Sequence, residues 1–217
     1  MRRNTLIASF ALAALAVATP ALAGPPFICH PFDIGSAPSL PWSATNNYLA
    51  MRDDYDFRNV VADLDTLLTP STPTIVRMET LRRAAVYASR DRAVAGQLIA
   101  SVMGRVHAAE QAGRPDALAL FDAGYVAEAL SELEQVGRYE KQMAGLDRVL
   151  AGLTKQLDGR AMIERSFVLR PTDGSIAFAL GLISRAPENE ARFSKARTAA
   201  QQDALLANNL ARLQLLQ

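Results

Sequence analysis

The sequence has very few of the side chains that metal and haem sites require. It contains one cysteine, Cys29, and two histidines, His30 and His107, in 217 residues. A structural zinc site needs about four ligands, and attachment of a c-type haem needs the motif Cys-x-x-Cys-His. One cysteine also excludes an internal disulfide, so the fold has to rely on its apolar core. We therefore expect no metal and no cofactor.

Familiar catalytic motifs are also missing. There is no Gly-x-Ser-x-Gly sequence, no glycine-rich phosphate-binding loop and no His-Glu-x-x-His, since residues 107–110 read His-Ala-Ala-Glu. Positive and negative side chains are nearly balanced: the sequence has 23 Lys and Arg residues and 22 Asp and Glu residues. A nucleic-acid surface would require a basic footprint. We expect a protein that is neither an enzyme of these classes nor a nucleic-acid binder.

The first 23 residues have the pattern of a bacterial secretory signal peptide. Arg2 and Arg3 precede an apolar run at residues 6–18, and the small-residue triplet Ala-Leu-Ala occupies residues 21–23. The run is too short to span a bilayer, which takes about 20 apolar residues. We expect cleavage before Gly24 and export to the periplasm or the medium. The mature chain would then have no transmembrane anchor.

Cys29 and His30 are the one adjacent pair of side chains that could bind a metal or take part in a reaction. A thiolate beside an imidazole can bind a soft metal or act as a nucleophile. Neighbouring residues in extended chain point to opposite sides, however, and cysteines are often simply buried. Three interpretations stay open: a buried structural cysteine, an intermolecular disulfide, and a thiol or metal site at Cys29 and His30.

Residues 24–42 combine many prolines with large apolar side chains. Proline at this density disfavours helix and favours extended chain. A disordered linker is normally poor in apolar groups. We predict an ordered, extended segment that lies over the rest of the protein, with Phe27, Phe32 and Trp42 mostly buried.

From residue 43 onward, apolar residues recur at helical spacing up to the C-terminus. We predict one all-α domain over residues 43–217, with antiparallel helical hairpins that form either an α-solenoid or a closed bundle. Eight helices are expected, at about residues 48–68, 73–88, 92–111, 116–136, 139–157, 160–169, 173–184 and from 188 to the end.

Part of this region resembles a tetratricopeptide repeat. Between residues 140 and 181, large and small side chains alternate in the order of that family, and Leu180-Gly181 recurs where the next repeat of about 34 residues places its Leu-Gly pair. The residues that carry the pattern are Met143, Leu146, Leu150, Gly159, Ile163, Ser166, Leu169 and Pro171. The resemblance implies stacked helix pairs with a concave surface for a protein partner.

These observations lead to two hypotheses of function. The first is an exported helical-repeat protein that serves as a binding or scaffold module for a peptide or protein partner. The alternative is a small thiol- or metal-dependent periplasmic protein that uses Cys29 and His30. No sequence motif identifies the partner or the residues that contact it.

Overall fold

The computed structural model describes residues 27–43, 49–185 and 187–215. Within these ranges the chain is helical and contains no β-strand, which confirms the expected all-α class. The predicted signal peptide at residues 1–23 and the first residues of the proline-rich segment, 24–26, lie outside the described part. None of the described helices is long and apolar enough to pass through a membrane.

Nine α-helices are described, together with short 3-10 turns at Phe27–Cys29, Phe57–Asn59 and Lys141–Met143. The helices are α1 Val60–Leu67, α2 Thr74–Ala88, α3 Arg92–Gln111, α4 Ala117–Val136, α5 Leu146–Leu150, α6 Gly159–Leu169, α7 Gly174–Ile183, α8 Glu188–Ala200 and α9 Ala204–Arg212.

Aspartate residues begin five of these helices. Each carboxylate accepts a hydrogen bond from a backbone N–H in the first turn, and such a cap contributes about 1 kcal/mol. The five are Asp91, Asp116, Asp158, Asp173 and Asp203, which precede α3, α4, α6, α7 and α9. These helix starts are therefore set by local sequence.

The predicted helix at residues 48–68 is wrong in its first half. The α-helix begins only at Val60, after a 3-10 turn that Asp56 caps through the N–H of Arg58. Before this turn, a backbone group hydrogen-bonds to another helix: the N–H of Arg52 donates to the Tyr87 hydroxyl, 3.0 Å away on α2. Tertiary contacts replace helical hydrogen bonds here.

Two other helix predictions are corrected by the structure. The helix expected at 139–157 consists only of a 3-10 turn and α5, because Gly145 between them has a φ of +97° that a right-handed helix cannot include. The single final helix expected from residue 188 is split into α8 and α9. The split occurs where Asp203 caps the N–H of Leu206 and starts a new helix.

Helices α2 and α4 form the centre of the molecule. Helix α4 packs against α2, α3, α5 and α6. It approaches α6 closely, since a Cβ atom at Gly124 would lie 2.5 Å from the carbonyl oxygen of Gly159. A buried ion pair joins the two central helices, with Arg77 Nε 2.8 Å from Asp122 Oδ1. Polar residues of α2 and α4 consequently lie in the interior.

Candidate functional site

Residues 27–42, the N-terminal segment, lie in a groove formed by side chains of α2, α4 and α9. The main apolar residues of the segment are buried: Phe27, Ile28, Phe32 and Leu40 are at most 4% exposed. This confirms the expected burial of Phe27 and Phe32. The expectation of extended chain is wrong for residues 27–29, where a 3-10 turn brings the N–H of His30 to the carbonyl of Phe27.

Glu132 of α4 holds the beginning of the N-terminal segment. Its carboxylate accepts hydrogen bonds from the backbone N–H of Ile28 at 3.0 Å and of Phe27 at 3.3 Å. The Phe27 ring lies 5.0 Å from the ring of Tyr125, which is about two helical turns before Glu132 on α4. Burial raises the pKa of Glu132 to about 7, although the two N–H groups work in the opposite direction.

Glu79 of α2 holds the middle of the segment. Its carboxylate accepts the Phe32 N–H at 3.0 Å, the Arg82 guanidinium at 2.8 Å and the Arg83 guanidinium at 2.7 Å. Burial acts to raise the pKa of Glu79, but Arg82, Arg83 and the Phe32 N–H outweigh it, so the pKa lies below its usual value. An ionised carboxylate is thus stabilised inside the protein by charges from its own helix.

Donors on the same helix bind carbonyl groups of the segment. Two are the guanidinium groups that also bind Glu79, and the third is a tyrosine hydroxyl. The contacts are Arg82 to Ile28 at 3.2 Å, Arg83 to Leu40 at 2.7 Å and Tyr87 to Pro41 at 2.7 Å.

Asn209 of α9 holds the segment from the opposite end of the chain. Its Oδ1 atom accepts the N–H of Asp33 at 2.7 Å, and its Nδ2 atom donates to the carbonyl of Asp33 at 2.8 Å. Asn209 is only 1% exposed. This two-point contact uses no side-chain atom of Asp33.

Trp42 marks the end of the segment. It is half-buried rather than fully buried, with its ring centroid 4.9 Å from the Arg82 guanidinium and 5.6 Å from the Tyr87 ring. A cation over an indole face is a favourable contact. Trp42 is the single tryptophan of the chain, so its fluorescence reports on this contact.

The groove therefore bonds mainly to the backbone of its occupant. Eight main-chain groups of the segment are bound by side chains of α2, α4 and α9. Every polypeptide presents such groups, whereas the apolar pockets that hold Phe27, Ile28, Phe32 and Leu40 depend on sequence. The arrangement can hold a peptide by its backbone and select it by its apolar side chains.

Cys29 and His30 lie in the segment and are both half-buried. Cys29 packs against the apolar core. Burial, together with the Arg82 charge, lowers the pKa of His30, so the imidazole is neutral near pH 7. The other histidine, His107, is exposed on α3. In the part of the chain that the structure describes, no three His, Cys, Asp or Glu side chains are grouped to hold a metal ion.

The charged and amide residues that form the groove were not singled out by sequence reasoning. Glu79, Arg82 and Glu132 occur in helices that alternate charged and apolar residues, where a charge usually faces solvent. Asn209 follows another asparagine near the C-terminus. No local signal distinguishes these residues, because each gains its role from a contact distant in sequence.

Comparison with known proteins yields no relative: no family model, no curated protein and no solved structure matches the chain.

Proposed function

We propose that this protein is an exported helical binding module whose groove between α2, α4 and α9 receives an extended peptide or a segment of a protein partner. The observation that supports it is the set of eight main-chain hydrogen bonds to residues 27–41 from buried or half-buried side chains. The tetratricopeptide-like pattern at residues 140–181 and the signal-like N-terminus favour the same function. In this proposal the N-terminal segment is the resident occupant of the groove.

A tethered occupant makes the groove selective by competition. A segment joined to its site by a short linker acts at an effective concentration in the millimolar range. A partner present at lower concentration has to bind correspondingly more tightly to replace it. Release of the tether should therefore raise the apparent affinity for an added peptide by orders of magnitude.

The first experiment measures this exchange. A protease site is introduced between the segment and α1, so that cleavage removes the covalent link between them. A synthetic peptide of residues 24–43 with Trp42→Phe is then added, and Trp42 emission is followed. We expect a red shift in the cut protein as the peptide replaces the resident segment, and a much smaller shift in the uncut protein.

A matched peptide tests the role of the apolar pockets. The same peptide with Phe32→Asp keeps the backbone groups but places a charge where a 4% exposed ring lies, so it should not displace the segment. If the first peptide also fails to displace the cut segment, the groove is a fixed part of the core and the proposal is wrong.

The second experiment looks for the partner in the native envelope. A photo-crosslinking residue at Asn208, which is exposed on α9 beside the bound Asp33, should give an adduct that excess 24–43 peptide suppresses. The same residue at His107, exposed on α3, is the control and should not give that adduct. An adduct that is insensitive to the peptide would contradict binding in the groove.

A double variant distinguishes peptide binding from the alternative function, a thiol- or metal-dependent activity at Cys29 and His30. Cys29→Ala with His30→Ala would abolish a thiol- or metal-dependent activity. Peptide exchange uses backbone groups bound by α2, α4 and α9, so it should survive this change. Loss of the cellular function with unchanged exchange would favour the thiol or metal site.

A further inference from the structure

A cavity of about 370 Å³ lies beside the N-terminal segment, between α7, α8 and the end of α9. This volume is within the range of small-molecule sites. It is lined by His30 of the segment, by residues of α7 and α8, and by residues 212–215 at the end of α9. It is separate from the backbone contacts of the groove.

The cavity has one apolar and one polar component. Phe193, Leu182, Leu213 and Leu215 supply the apolar surface, and all four pack in or against the core. Asn189, Ser184 and Gln214 supply neutral hydrogen-bonding groups. A ligand that fits this lining has an apolar part and a polar end.

The charge of the lining is positive. Arg212 lines the cavity, and no acidic side chain does so among the described residues. Arg212 is exposed at the end of α9, and none of the ion pairs between described residues includes it. Its guanidinium presents donors in the geometry that a carboxylate accepts best.

His30 provides a further polar atom. Its Nε2 atom is buried and has no hydrogen-bond partner among the described residues, although buried polar atoms normally have one. His30 is one of the residues that line this cavity, so its ring signals report on a molecule bound there.

The backbone also takes an unusual conformation at the edge of the cavity. Gln214 has a φ of +57° in the left-handed region, where glycine is the common residue at a helix end. This turn brings the N–H of Leu215 to the carbonyl of Leu210 at 2.8 Å and folds the chain back over α9. Gln214 and Leu215 are thereby placed at the cavity.

We propose that this cavity binds a small carboxylic acid with a short apolar chain. The carboxylate pairs with Arg212 and the neutral amides, and the chain lies against Phe193, Leu182 and Leu215. The proposal does not depend on peptide binding in the groove, because the cavity is formed with the segment in place and needs no release of the segment.

The test uses the intact protein and hexanoate as the probe, with titration calorimetry and histidine NMR. Hexanoate should bind. Hexanol lacks the negative charge, hexylamine carries a positive charge instead, and acetate lacks the apolar chain. Each of these three compounds should bind at least tenfold more weakly than hexanoate. The ring signals of His30 should shift on titration. The signals of His107, exposed on α3, are the internal control and should not move.

Two matched variants locate the charge. Arg212→Gln should weaken hexanoate binding at least about tenfold, since it removes a charge-assisted contact. Arg185→Gln removes the same charge from an exposed residue outside the lining and should leave binding unchanged. Equal binding of hexylamine, unshifted His30 signals or an unchanged affinity of the Arg212 variant would overturn the proposal.

Discussion

Asn209 and Asp33 are 176 residues apart in sequence, and the carboxamide of Asn209 both accepts from and donates to the main chain of Asp33. The contact joins the last described helix to the N-terminal segment. An amide side chain suits this contact, because its terminal group offers a donor and an acceptor side by side in one plane.

Replacing Asn209 by leucine should destabilise the protein. The substitution keeps the size but leaves the N–H and carbonyl of Asp33 unpaired, which costs about 1–3 kcal/mol. Urea unfolding followed by Trp42 fluorescence measures the loss. Asn208→Ala is the neighbouring control: Asn208 is exposed and reaches Asp33 only through a 3.4 Å hydrogen bond to its carboxylate, so we expect a change of less than about 0.5 kcal/mol. Equal losses in both variants would contradict the role of Asn209.

The ion pair between Arg77 and Asp122 should be far more sensitive than a surface pair. Both side chains are at most 3% exposed, so Asp122→Ala leaves an unpaired guanidinium in the interior and costs about 3–5 kcal/mol. Asp65, 62% exposed, pairs with Arg105, and Asp65→Ala should cost less than about 1 kcal/mol. Thermal unfolding of both variants checks this. A small loss for Asp122→Ala would show that Arg77 reaches water.

Glu132 should make stability dependent on pH. Its pKa is about 7 in the folded protein and 4.5 in the unfolded chain, so the folded state holds the proton more tightly. This contribution is fully present below about pH 4.5 and is lost as the pH rises through 7. Glu132→Gln stays neutral, so the stability of the wild type relative to the variant should fall over this window by up to about 3 kcal/mol.

The unfolding free energies of the wild type and of Glu132→Gln are measured at several pH values, and one is subtracted from the other. The contributions of the other titrating groups are nearly the same in both proteins and largely cancel in this difference. A difference that does not change with pH would mean that Glu132 is already ionised in the fold near pH 5.

Two glycines in long helices should respond oppositely to alanine. At Gly124 the added Cβ would lie 2.5 Å from the Gly159 carbonyl oxygen and 2.7 Å from Ile163, so we expect a loss of about 1–3 kcal/mol. At Gly96, in α3, no atom outside the adjoining helix backbone lies within 4 Å of the added Cβ, and alanine should stabilise by about 0.5–1 kcal/mol. Chemical denaturation gives both values. Stabilisation by both substitutions would mean that α6 moves away from α4, and destabilisation by both would contradict the expectation for Gly96.

Much of the helical framework could be predicted because its signals are local. Asp91 and Asp116 cap the helices that follow them, and regular apolar spacing predicted α2, α3 and α4 within about a residue at most ends. The helix predictions fail where the backbone conformation of one residue, or a contact with a residue distant in sequence, determines the local structure. The apolar spacing around Gly145 is typical of a helix, but the positive φ of Gly145 interrupts it. The N–H of Arg52 donates to the Tyr87 hydroxyl instead of making a helical hydrogen bond.

The candidate site was predictable only in part. The composition of residues 24–42 predicted burial of Phe27 and Phe32, because apolar side chains at this density need a surface to cover. It did not predict that surface. Glu132 and Asn209 acquire their roles from backbone groups more than 100 residues away, and their own neighbours in sequence show no trace of this. The absence of a bound metal at Cys29 and His30 stays a prediction.

The N-terminal segment is synthesised before any of the helices that bind it. Glu132 follows Ile28 by 104 residues and Asn209 follows Asp33 by 176 residues. At a synthesis rate of about 5–20 residues per second, the groove is complete only some 10–35 s after the segment emerges. During this interval Phe27, Phe32 and Leu40 have no native burial site. A chaperone or transport factor that covers apolar chain would find a binding site there that the finished protein no longer presents.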